Sequence, residues 1–97
     1  MNEFFTTLAS RWREAASRRG AAIDAPVLDA AVAEQILQLA RVVAHSKERS
    51  FAPLASFTAG VAAERLRVAK GGAADPAAIA AYVREVREAL EEESSPG

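Results

Sequence analysis

No cysteine occurs in the 97 residues, which excludes disulfides, thiol nucleophiles and thiolate metal sites and leaves the redox compartment open. Histidine occurs once, as His45. One imidazole and scattered carboxylates do not supply the three or four converging ligands of a metal centre, so neither a metal nor another cofactor is expected. An excess of charge of one sign is also missing, with 12 Lys and Arg against 13 Asp and Glu. Proteins that bind nucleic acid usually carry a basic surplus on one face, and this balance argues against that class. No apolar run approaches the roughly 20 residues of a membrane span. Arg11, Arg13 and Glu14 interrupt any signal-peptide core in the first 20 positions. The expectation is a cytoplasmic protein with no membrane partner.

What the chain does have is alanine. Hydrophobic residues make up 51% of the sequence, and many of them are alanines, which favour helix but fill little core volume. At this length the chain makes one domain and buries a modest fraction of its surface, so closely packed helices or a partner on one face must compensate.

Four helical segments and no good strand can be read. The first runs over 3–19. Asn2 can cap it, Glu3 suits the positive end of its dipole, and Gly20 can adopt the left-handed conformation that stops it. Phe4, Leu8, Trp12 and Ala16 recur every four residues, with Phe5 and Ala9 beside them, as one apolar stripe. These bulky residues are read first as core; the alternative is a helix-in-groove contact or a dimer seam, for this stripe or for Ile79, Tyr82 and Val86. The second helix is expected over 27–47, started by Asp24 and Pro26. Its stripe is Leu28, Val32, Ile36, Leu39 and Val43, widened by Leu37 and Ala40.

The third helix is expected over 51–69, with Pro53 in its first turn. Leu54, Phe57, Val61 and Leu66 are expected to face inward, and Gly60 to let a neighbouring helix approach closely. Gly71-Gly72 ends it. The fourth is expected over 76–92, with Asp75 as cap and Pro76 at the first helical position. Ile79, Tyr82, Val83, Val86 and Leu90 form its stripe. Arg84–Glu88 and Arg87–Glu91 are i,i+4 pairs. Glu91, Glu92 and Glu93 oppose the dipole, so fraying is expected there, followed by a disordered tail over 94–97. The expected fold is all-α, a small four-helix bundle-like single domain over 1–93, its neighbours mostly antiparallel across short connections.

The hinge between the second and third helices carries the candidate site. Glu34, Gln38, Arg41 and His45 share one polar edge of the second helix, and Lys47, Glu48 and Arg49 follow. The first-turn amides of the next helix carry partial positive charge. His45 and Arg49, with the amides of 51–55 and the hydroxyls of Ser50 and Ser56, therefore form a candidate cradle for a phosphate-bearing ligand. The competing reading is structural: basic residues at a helix C-terminus complement its dipole and bond its last carbonyls. No base and orienting group surround a nucleophile, and Gly71-Gly72 lacks the Lys-Ser/Thr and upstream strand of a phosphate loop. The chain is therefore expected not to be an enzyme.

Leu39, Ala40, Arg41, Ala44, His45, Glu48, Arg49, Ala52, Pro53, Leu54, Phe57 and Gly60 together resemble a small uncharacterised all-helical domain family of high-GC bacteria. Its pattern is a leucine-rich helix ending in Ala-His, two variable residues, Glu-Arg-Pro, then Ala-Pro-Leu, an aromatic and a glycine. Ser50 departs from it where the family has proline. Members occur alone or fused to a molybdenum-cofactor guanylyltransferase. The resemblance implies an accessory role near assembly or delivery of that cofactor, without guanylyltransferase activity, since the nucleotide-binding α/β domain is absent. If the family shares a site, it implies His45, Glu48 and Arg49. The expected function is a non-enzymatic helical module that binds a protein partner or itself; the rival is a ligand-binding module at the His45–Arg49 hinge.

Overall fold

The structure is a computed structural model that describes residues 3–94. Four α-helices make up its regular structure, α1 (Glu3–Arg18), α2 (Ala30–Ser46), α3 (Phe51–Ala69) and α4 (Pro76–Ser94), and no strand occurs among the described residues. The all-α class is as expected. Asn2, the expected cap of α1, and positions 95–97 of the expected tail lie outside the described residues.

The glycine stops act through one mechanism at both places. At the end of α1, Gly20 has φ +77, its amide donates to the Ser17 carbonyl at 2.9 Å, and the Ala21 amide donates to the Ala16 carbonyl at 2.9 Å. At the end of α3, Gly71 has φ +64, and the Gly71 and Gly72 amides donate to the carbonyls of Val68 and Arg67. This paired pattern closes the orphan carbonyls of a helix end and needs a left-handed residue, which costs glycine least. The start of α4 is equally local: Asp75 Oδ1 accepts the Ala78 amide at 2.9 Å, and Pro76 takes the first helical position, where a missing N–H costs nothing.

Two boundaries need correction. α2 begins at Ala30, three residues after the expected start. Asp24 and Pro26 lie in the preceding irregular segment, and Asp29, another residue type favoured at caps, stands directly before the helix. α4 continues to Ser94, past the expected stop at 92 and through the Glu91–Glu93 run. Arg87 Nη1 donates to Glu91 Oε1 at 2.8 Å, which neutralises part of the charge that opposes the helix dipole. The other expected pair, Arg84 with Glu88, does not form.

The chain divides into two compact units, Met1–Ala30 and Ala31–Gly97. In the second, Leu39 and Val43 of α2 and Val83 of α4 form a buried cluster, with Ile36, Ala55, Ala59 and Leu90 packed against it. The late turns of α2 thus meet the early turns of α3, and the start of α3 shares the cluster with the end of α4. Chain reversals at both short connections produce this arrangement. Among the described residues of the first unit, Ala9 is the single buried one.

Candidate functional site

The hinge between α2 and α3 spans 47–50. The side chains of Arg41, His45, Lys47, Glu48 and Arg49 are exposed. None of the four basic ones enters a hydrogen bond or ion pair among the described residues. The α3 amides that were to complete an anion cradle are already used. The Phe51 amide donates to the Glu48 carbonyl at 3.0 Å and the Ala52 amide to the Arg49 carbonyl at 3.2 Å; Pro53 has no N–H, and later amides are inside the helix ladder. The hydroxyls are used as well. Ser56 Oγ donates to the Ala52 carbonyl at 3.0 Å and Ser50 Oγ to Glu48 Oε2 at 3.4 Å. The Glu48 carboxylate adds negative charge where an anion was to sit. What the hinge retains is a loose set of exposed cations beside one carboxylate. Such cations are screened by salt. Along the polar edge of α2, Gln38 Nε2 donates to Glu34 Oε1 at 2.8 Å, so those two residues are joined to each other.

The larger correction concerns the apolar residues. Leu54 and Phe57, expected to face inward, are 63% and 72% exposed, and Leu37 is 61% exposed. Phe4 and Trp12, read first as core, are 63% and 55% exposed. Only Val61 and Leu66 of the expected α3 set are half-buried. α3 carries two stripes. Ala55, Ala59 and Ala62, spaced four and three apart, turn toward α2 and α4. Leu54, Phe57, Val61 and Val68, spaced three, four and seven apart, lie on another side. Packing selected the alanine stripe because small side chains let helix backbones approach, and the large residues were left outside. Gly60 lies on the exposed side of the same helix, and a Cβ built there meets nothing within 4 Å. It therefore does not serve close packing inside the chain.

The alanine face leaves space. A groove of about 240 Å³ is lined by Ala55, Ala59 and Ala62 of α3, by Tyr82, Val83, Val86 and Leu90 of α4, and by Leu39 and Thr58. The Thr58 hydroxyl donates to the Ala55 carbonyl at 2.8 Å, which leaves the groove predominantly apolar. At a separate place, Arg87 is half-buried: Nη2 donates to Gln35 Oε1 at 3.4 Å across α2 and α4, and Nε is buried without a partner. Residues 52 positions apart in sequence give no local signal for this link. Among the described residues, the carboxyl of Glu64 is the one that is clearly perturbed. A hydrogen bond from Arg67, whose Nε lies 3.1 Å away, holds it below the usual range, with the Arg67 charge acting in the same direction. No group of three His, Asp or Glu able to hold a metal occurs among the described residues, and no helix there is long and apolar enough to cross a membrane.

These features define a small all-helical domain whose large apolar side chains lie mainly on its surface. The chain belongs to the family described as Domain of unknown function (DUF6457), which it matches over residues 4–97. No curated protein and no solved structure matches it.

Proposed function

We propose that this chain is a non-enzymatic helical module that docks a protein partner on the outer face of α3. The observation that carries the reading is the inversion of that helix, with alanines turned to the core and Leu54, Phe57 and Val68 turned to solvent. Exposed apolar residues clustered on one helix face mark interaction surfaces, whereas isolated ones do not. Gly60 agrees with this reading. An interior helix glycine costs about 1 kcal/mol against alanine, and here nothing inside the chain requires it. A partner backbone approaching beside Phe57 supplies a use. The hinge reading, with His45, Glu48, Arg49 and Arg41 around a phosphate-bearing ligand, stands second because the amides it needs are occupied. The resemblance to a family whose members occur alone or fused to a molybdenum-cofactor guanylyltransferase narrows the partner to assembly or delivery of that cofactor, molybdopterin guanine dinucleotide, and that narrowing rests on the resemblance alone.

The test is capture with the tagged full chain and with Phe57→Glu, followed by identification of the captured protein and titration of the purified pair. A single identified partner should bind the unmodified chain and lose affinity by at least about tenfold with Phe57→Glu, as expected when a central apolar anchor is replaced by charge. A purified partner that binds both forms equally removes the α3 face from the proposal, and loss with Arg49→Ala instead returns the site to the hinge.

A further inference from the structure

Charge is distributed unevenly along the chain, and the positive excess falls on α3. Residues 47–72 hold this helix and the turns at its two ends. They carry Lys47, Arg49, Arg65, Arg67 and Lys70 against Glu48 and Glu64, five bases to two acids and so a net +3, in a chain whose total is -1. The excess borders the exposed apolar stripe. Arg65 follows Val61 by four residues and precedes Val68 by three, so helical spacing sets it in line with that stripe. Glu64 lies beside it, but its carboxylate is held by Arg67, whose Nε donates at 3.1 Å. The side chains of Arg65, and of Lys47 and Arg49 at the N-terminal end of α3, are exposed. They have no ion-pair or hydrogen-bond partner among the described residues.

We propose that the occupant of this face is an acidic amphipathic helix of a partner protein, its apolar side on Leu54, Phe57 and Val68 and its carboxylates toward Arg65 and the hinge cations. The inference rests on the reading of α3 as a docking face and names the chemistry of what docks there. Spacing argues for a helix. The apolar residues recur at three, four and seven positions over about 21 Å of helix axis, the pattern that the ridges of a second helix match. Charge argues for acidic flanks, since complementary potentials steer encounter and like charges set face to face are costly. A second copy of this chain offers no such helix. α1 brings Arg11, Arg13 and Arg18 to a basic face, and α4, which has the acids, commits Val83 and Leu90 to its own cluster. An anionic lipid surface is less well matched, because it meets Glu48 and Glu64 together with the cations, whereas a helix places its acids only where Arg65 and the hinge lie.

The test uses two stapled helical peptides of about 18 residues, roughly five turns. Both carry the same leucine stripe; glutamates flank it in one and lysines in the other. Each is titrated into the full chain by fluorescence anisotropy, with helix content checked by circular dichroism for every variant. The glutamate peptide should bind at least about tenfold tighter. Most of that preference should disappear near 1 M salt, where the screening length is about 3 Å. Arg65→Glu should cut the preference by at least about threefold, and Arg65→Gln by less; these exposed positions keep the test valid if another variant perturbs folding. Phe57→Glu should weaken the glutamate peptide by at least about tenfold. Equal binding of both peptides, each lost with Phe57→Glu, overturns the acidic chemistry and leaves the docking face standing. Binding that Phe57→Glu does not change overturns both. Neither peptide binding overturns the proposal, and binding instead to phosphatidylserine vesicles, or self-association lost with Phe57→Glu, assigns the face to a membrane or to a second copy.

Discussion

The two units of this chain carry apolar stripes of similar clarity, and only one of them builds a core. In the α2–α4 unit, Leu39, Val43 and Val83 close into a buried cluster because three helices supply facing surfaces. In the first unit a single helix and the segment after it supply one surface, and Phe4 and Trp12 stay exposed although their spacing is as regular as that of α2. The same hydrophobic periodicity thus yields a core where a second and third face exist, and an exposed apolar stripe where they do not. α3 repeats the lesson within one helix, since its two stripes competed for one interior.

The sharpest way to break this comparison is to truncate one large residue in each unit. Leu39→Ala removes a buried side chain from the cluster and should cost about 2–5 kcal/mol, a large share of the marginal stability of a small domain. Trp12→Ala, measured by urea unfolding at dilution where association does not contribute, should cost less than half as much despite deleting more atoms. Equal costs would show that the first unit has an interior after all. A smaller effect of opposite sign tests the open face of α3. Gly60→Ala should raise stability by about 0.5–1 kcal/mol, since the alanine meets no neighbour and removes backbone freedom from the unfolded chain. A fall in melting temperature would place a packing contact at Gly60 and end the argument that its use lies with a partner.

The smallest effect concerns Glu64 on the solvent side of α3. Its carboxyl is held below the usual range by the hydrogen bond from Arg67, so the folded form binds its proton less readily than the unfolded form. The contribution of this pair is therefore present above the ordinary carboxylate pKa and is lost as pH falls through the depressed folded value. Both groups are exposed, so unfolding at neutral pH should hardly change in Arg67→Gln, while a carboxyl NMR titration should show Glu64 returning to its ordinary value. An unchanged titration in that variant would mean the hydrogen bond does not form in solution.

Local chemistry in the sequence was enough to define the helices and most of their ends. Gly20, Gly71, Asp75 and Pro76 each act on neighbours within a few residues, through a left-handed turn, a cap bond or a fixed φ, so their effect does not depend on what packs nearby. The start of α2 is less legible: Asp24 and Pro26 signal a start three residues before the observed one at Ala30, and the true start depends on the path of the preceding segment. The candidate hinge was legible as a cluster of exposed cations. The use of its amides by the Glu48 and Arg49 carbonyls was not, since that depends on how tightly the chain turns before α3.

Tertiary structure alone decided which apolar face became interior. Periodicity marks a face as apolar without saying whether alanine or leucine will be preferred at a helix contact. In α3 the contact with the Leu39–Val43–Val83 cluster took Ala55 and Ala59 rather than the larger Leu54 and Phe57. The link from Arg87 to Gln35 was decided in the same way, by two helices meeting far apart in the chain. The sequence by itself determined an all-helical chain with defined stops and starts; packing determined that Leu54 and Phe57 face outward, because the stripe of α3 that meets the cluster of α2 and α4 is the alanine one.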